Sequence, residues 1–219
     1  DRTVAGLIGA GCEVGVHGLH HDGRDLGSLR LLQRRLPEMR HWQQRWGAAG
    51  FRAPATQRTW DWMPLLGFDY DTSYFDTDPF EPQPGGCLSW LPLLNGDMVE
   101  LPITAPQDHT LFAILEQTDG RIWQEKAEYL RRVGGMVLLL THPDYTDKAV
   151  AVDSYRDLLA AYRDDGTAWK ALPREVAAWW RRRAASRPER VGDGWEVVGP
   201  AAGEAAIRFL GCSDGAESR

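Results

Sequence analysis

The stretch Glu13-Val14-Gly15-Val16-His17-Gly18-Leu19-His20-His21-Asp22 decides how the rest of the chain is read. Its first half reads as a short buried strand, and it runs straight into His17 and His21, four residues apart. A turn of helix or a tight loop brings side chains at that spacing to one side of the backbone. Two imidazoles aimed at one point are half of a tetrahedral zinc site. The carboxyl end of a strand is also where α/β folds collect their chemistry. A His-x-x-x-His pair alone is more often two unrelated histidines, and His20 competes as an inward-facing side chain. Adjacent side chains diverge on any regular backbone, which favours the pair His17 and His21 over His20.

Working outward, strands and helices alternate, which argues for an α/β chain. Asp1 to Ile8 has the pattern of a helix interior. Ser28 is placed to cap a helix whose apolar positions Leu29, Leu32, Leu36, Met39 and Trp46 fall at helical spacing. Pro37 predicts a kink or restart within it. Gly50 to Ala53 reads as a short strand stopped by Pro54, Thr59 to Leu66 as a brief helix closed by Gly67, and Phe68 to Tyr74 as a strand. Asp76 to Gly86 is a loop by its prolines and glycines. Asn95-Gly96 predicts a hairpin between Leu88–Leu94 and Asp97–Ile103. Asp119 to Val133 is a helix. Met136 to Thr141 is an uninterrupted apolar run, as a fully buried parallel strand requires. Helices follow near Val152–Tyr162 and Pro173–Arg183, Pro173 suiting a first helical position. From Ser186 the chain is polar, with one weak strand at Trp195–Val198. The expected division is residues 1–185 as one domain and 186–219 as a polar extension.

The 219 residues suffice for one large domain with a proper core, and 43% hydrophobic content argues against disorder. A net charge of -6 argues against nucleic acid or an anionic membrane as the main partner. No apolar run reaches transmembrane length. Cys12, Cys87 and Cys212 are isolated, so neither a disulfide framework nor a thiolate metal site is expected, and cytoplasmic placement is favoured slightly. Nothing at the first residues resembles a signal peptide.

Two further motifs carry chemistry. In Phe51-Arg52-Ala53-Pro54, an arginine stands at a strand end. It is either a surface residue or a permanently charged fork that orients a carboxylate. In Leu138-Leu139-Leu140-Thr141-His142-Pro143, a histidine closes a buried strand, either as a satisfied structural residue or as a general acid. Asp108 and His109 lie just past Val99–Ile103 and either rim a site or belong to a plain loop. His41 and the run Arg181-Arg182-Arg183 read as solvated. The ten tryptophans suit a core.

Taken in order, His-x-x-x-His, Arg-x-Pro and Leu-x-His at strand ends resemble the NodB-type polysaccharide deacetylases, the fourth carbohydrate esterase family. The resemblance runs from about Val4 to Tyr162. Gly67–Pro84 and Leu101–Phe112 also look like a bacterial branch of it. It implies an incomplete, distorted (β/α) barrel and one divalent metal, usually Zn2+, held by His17 and His21. Arg52 would steady the catalytic aspartate, and His142 would be the catalytic acid. The N–H of Ala55 would bind the oxyanion, where the family commonly has an aromatic residue. Leu140 would line the pocket for the acetyl methyl. Asp71 is the candidate for the family's aspartate–tryptophan motif, although no tryptophan follows at the usual distance. Asp71 and His109 are thus expected on the substrate side.

One departure is large. The family opens with a strand ending in Thr-Phe-Asp-Asp, which supplies the general base and the third metal ligand. The chain has no such motif. Asp164-Asp165 follows an amphipathic helix, and Asp214 lies in the polar tail. The expectation is that the motif, with its terminal strand, lies upstream of Asp1. The implied activity is metal-dependent removal of an N-acetyl group from an amino sugar in a glycan. The alternatives are an amidohydrolase acting on a small non-sugar amide and a non-catalytic glycan-binding domain.

Overall fold

Helix α2 (Leu29–Trp46) shows how local sequence sets the frame. Ser28 adopts an extended conformation and its Oγ accepts from the Leu31 N–H at 3.2 Å, satisfying one orphan donor. Gly47 ends the helix in the left-handed conformation, as a glycine does at little cost. The helix continues through Pro37, so the expected restart is absent. Its buried stripe of Leu32, Leu36 and Met39 packs on Phe51, Met63, Leu66 and Phe68. Fully burying each of these large side chains contributes about 1.5–3 kcal/mol.

The computed structural model describes residues 2–77, 85–145 and 148–208. Within Asp76–Gly86, residues 78–84 lie outside that range, as do Asp214 and Cys212. The chain divides into two compact units, Asp1–Ala177 and Ala178–Arg219.

The first unit opens with α1 (Arg2–Gly9), and Val16 then pairs in parallel with Phe51 of β1 (Gly50–Phe51). Next in the sheet stand β2 (Tyr70–Asp71) and β4 (Met98–Glu100), both parallel, with β3 (Leu93–Asn95) antiparallel at the far edge. A second parallel bridge joins Phe75 to Ile103. The architecture is therefore mixed α/β with a small, mainly parallel sheet; among the described residues its four strands and two isolated bridges do not by themselves trace the expected incomplete barrel. The hairpin register pairs Asn95 with Met98, so the two-residue turn is Gly96-Asp97, one position later than Asn95-Gly96. The Asn95 side chain is used otherwise: Nδ2 donates to the Trp60 carbonyl at 2.8 Å.

Helices α3 (Arg121–Val133) and α4 (Ala149–Arg163) build a second core with Leu111 and Phe112. Its centre is the fully buried Trp123, whose indole N–H donates to the Pro106 carbonyl. Residues 136–141 run beside 103–105, where the Leu138 carbonyl accepts from the Thr104 and Ala105 N–H groups. They form no ladder strand, and only Leu140 is buried while Val137 is exposed. The expected fully buried strand is thus covered on one side only. Helix α5 (Pro173–Ala184) begins at Pro173, and the Glu13 carboxylate accepts from the Arg174 N–H at 3.1 Å. The second unit contains the antiparallel hairpin β5 (Arg187–Val191) and β6 (Gly194–Val198), in the region where the sequence suggested a single strand.

Candidate active site

A cavity of about 850 Å³ opens where Val16, the end of β1 and residues 138–142 come together. His17, His21, Arg52, Ala55, His109, Leu140 and His142 all line it. Seven of the eight residues singled out from sequence therefore meet in one place.

The His17–His21 flank is shaped by its loop. Gly18 sits at φ +70, and a Cβ there would come within 2.5 Å of Asp25 Oδ2 and 2.6 Å of Pro54, so only glycine fits. The buried Asp25 accepts from the Leu19 N–H at 3.1 Å. Arg35 reaches across from α2 to Asp25 at 2.6 Å and to Asp22 at 2.7 Å. Arg35 also holds the Asp22 carboxyl well below the usual carboxylate range. The loop thus folded places the two imidazoles with ring centroids 5.1 Å apart, at 62°. His17 Nδ1 lies 2.8 Å from the Arg52 carbonyl oxygen. A carbonyl only accepts, so Nδ1 carries the proton and Nε2 keeps its lone pair, the arrangement of a metal-binding histidine with an outer partner. Burial pushes His17 below the ordinary histidine value, partly offset by that carbonyl, and the neighbouring His21, Arg52 and His142 push the same way as burial.

These residues fit a divalent metal as two of its ligands. The donor chemistry is two imidazoles, one with its tautomer fixed for ligation. Among the described residues no group of three histidine, cysteine, aspartate or glutamate side chains is placed to complete the set. The one carboxylate lining the cavity among them is Asp144, exposed at its mouth.

The opposite flank is His142. Its Nδ1 stands 2.8 Å from Oδ1 of Asp108, which is wholly buried. The other Asp108 oxygen accepts from the His142 backbone N–H, and Oδ1 also accepts from the His109 N–H. A carboxylate on Nδ1 fixes the tautomer and the orientation of the ring. Asp108 precedes a π-helix (His109–Ile114), a form frequent at functional sites. At the mouth, the Tyr145 ring lies 4.6 Å from His109 and 5.4 Å from His142.

Between the flanks, Arg52 Nε donates to Thr72 Oγ1 at 2.7 Å and to its carbonyl at 3.1 Å; among the described residues its terminal nitrogens meet no hydrogen-bond acceptor, and the buried Asp71 attracts its charge. The turn that follows is strained: Ala55 and Thr56 have φ of 52 and 50. The Ala55 N–H has no acceptor among the described residues. Tyr70 lies over Gly50, where a Cβ would fall 2.0 Å from the ring. Only glycine allows that ring to line the cavity.

Asp71 is placed differently from the sequence expectation. It is wholly buried and absent from the lining, accepting from Ser73 N–H and Ser73 Oγ at 2.8 Å each. The carboxylate behind His142 is Asp108, which sequence reading left between a rim and a plain loop. Its signal was position, just past the expected strand Val99–Ile103 and immediately before His109. Asp25, Arg35, Asp144 and Tyr145 were missed, because pairing between distant loop residues leaves no periodicity in the sequence.

Compared with solved structures, the chain is similar to the crystal structure of a "putative polysaccharide deacetylase" from Mycobacterium smegmatis. The TM-score is 0.64 at 21% identity, covering 86% of this chain and 71% of that one. The fold is shared at that level. No family model matches the chain, and no curated protein matches it.

Proposed function

We propose that this cavity belongs to a hydrolase that removes an N-acetyl group from an amino sugar in a glycan, with a divalent metal, preferably Zn2+, on His17 and His21. One observation carries the reading. Two kinds of histidine face one cavity: a pair with ring nitrogens available as ligands, and His142 backed by the buried Asp108. When bound, such a metal polarises the acetyl carbonyl and makes water a nucleophile at neutral pH.

The remaining roles belong to the chain itself. His17 is held by the Arg52 carbonyl with Nε2 as its ligating nitrogen. The Ala55 N–H offers a fixed dipole to a developing oxyanion. His142 delivers a proton from Nε2 to the departing amine while Asp108 holds Nδ1. Leu140 supplies an apolar wall for the acetyl methyl, and the rings of His109 and Tyr145 offer faces for a sugar at the mouth. Arg52 presents its open fork to a carboxylate.

A second reading is a glycan-binding domain that turns nothing over: among the described residues no third metal-ligand side chain joins His17 and His21. The deciding experiment measures acetate release and oligosaccharide binding together, on N-acetylglucosamine oligomers with added Zn2+ and with a chelator. Zinc-dependent release that is lost in His17→Ala and His21→Ala supports the hydrolase. Oligosaccharide binding with no release at any zinc concentration overturns it in favour of the binding domain.

A further inference from the structure

Asp71 and Glu100 are cross-strand partners on β2 and β4, with 0% and 2% of their surfaces exposed. Their carboxyl groups are hydrogen-bonded to each other. Two carboxyls sharing a hydrogen bond must retain one proton, and a buried pair of this kind requires every remaining lone pair to be placed. The placement runs in one direction. Glu100 Oε1 accepts from the Tyr74 N–H at 3.1 Å. Asp71 takes both donors of Ser73. With its proton committed to Asp71, Ser73 Oγ is left as an acceptor, and it takes the Ala53 N–H at 2.9 Å. Ala53 begins the strained turn that carries the Ala55 N–H. Thr72, between Asp71 and Ser73, is the residue that grips Arg52 Nε.

We propose that the Asp71–Glu100 pair is a positioning element: through Ser73 and Thr72 it sets the turn 52–56 and aims the Arg52 fork and the Ala55 N–H into the cavity. The use of those donors in catalysis rests on the hydrolase reading above; the mechanical linkage rests on the hydrogen bonds alone. Burial, then the neighbouring Asp71, push Glu100 well above the ordinary carboxyl range. Burial also pushes Asp71 up, against the opposing pull of Glu100, Ser73 and Arg52; both Ser73 donors end on Asp71, which makes it the acceptor of the pair. The groups facing the pair are Arg52 from the end of β1, Tyr74 from the segment after β2 and Cys87 from the segment before β3.

The test is an NMR pH titration of the whole chain, following the side-chain carboxyl carbons of Glu100 and Asp71 with the amides of Ser73, Ala53 and Ala55. The expected result is a protonated Glu100 at neutral pH. As pH rises through its ionisation, the Ser73, Ala53 and Ala55 amides should shift with the same midpoint. Glu100→Gln, which keeps a donor, should hold those amides at their neutral-pH positions and abolish the shift. Ser73→Ala should leave the carboxyl titration in place and remove the response at Ala53 and Ala55. An ionised Glu100 at neutral pH overturns the proposal, as does a titrating pair with unmoved Ala53 and Ala55 amides, or a response at Ala55 that survives Ser73→Ala. If Glu100→Gln fails to fold, Ser73→Ala and the wild-type titration still decide. No step uses acetate release, so a failed hydrolase reading leaves this result standing.

Discussion

On one flank of the cavity His17 gives its Nδ1 proton to a neutral backbone carbonyl, and on the other His142 gives the same proton to a buried carboxylate. The side chain is identical; the acceptor differs. A neutral acceptor beside a second imidazole and an arginine leaves a ring that resists charging and offers a lone pair, which is what a metal needs. A buried carboxylate behind the other ring fixes its orientation, as a positioned proton donor requires. Supporting structure differs in the same sense. The His17–His21 loop is shaped from outside by the Asp22–Arg35–Asp25 clamp, whereas His142 is held from directly behind by Asp108 through both side chain and backbone. Assignment of role to a histidine therefore comes from its partner.

The comparison breaks most visibly at His142. His142→Ala should reduce acetate release from an N-acetylated oligosaccharide by about 10²–10⁴-fold, the usual contribution of a positioned acid. Zinc content measured alongside should not change, because the substitution touches only one flank. Equal loss of both would mean that the flanks are one unit. Asp108→Asn sharpens the same point with a smaller effect, about 10–100-fold, the size typical of an outer partner that orients a ring. The His142 ring signals in NMR should move while those of His17 stay in place; movement of both would remove the distinction.

On the other flank, Asp25→Ala removes the acceptor of the Leu19 N–H and one partner of Arg35. Leaving such groups unpaired costs about 1–3 kcal/mol, readable as a lower urea midpoint. His21 should lose its fixed contact with His17 while the His142 signals are undisturbed. The smallest effect is one of pH. His17 in the folded chain lies below the ordinary histidine value of about 6.5. Between that lowered value and the ordinary one, the unfolded chain binds more protons. Stability should therefore rise with pH across that window and fall as pH drops through it. His17→Gln should flatten this dependence, and an unchanged slope would assign it elsewhere.

Much of this was legible before the fold was known, for a definite reason. The three motifs read as strand ends, and strand ends in a parallel sheet share one face, so residues far apart in sequence were expected together; in the structure Arg52 follows β1, His17 follows the bridge at Val16, and His142 follows a run that lies beside 103–105 without a ladder. Ser28 and Gly67 marked helix ends because capping is local chemistry. What stayed hidden was non-local. Asp71 was matched to a substrate-side motif, yet its pairing with Glu100 depends on β2–β4 register, which no local pattern encodes. Asp108 sat in plain view but its partner is 34 residues away. The run 136–141 has the composition of a buried strand, and composition reports what a segment tolerates rather than which neighbours cover it.

The turn at Ala55 and Thr56 has a consequence for how this chain can change. Left-handed backbone costs about 1–2 kcal/mol per residue outside glycine, and two such residues adjoin here. Against a typical folding free energy of about 5–15 kcal/mol, that is a considerable share concentrated in one turn. Glycine at either position would relieve the strain in the folded chain, but it would also widen the range of backbone directions open to the Ala55 N–H. Durability and aim are therefore opposed at these two positions. A lineage drifting toward heat resistance would find its easiest substitutions where the cavity can least absorb them.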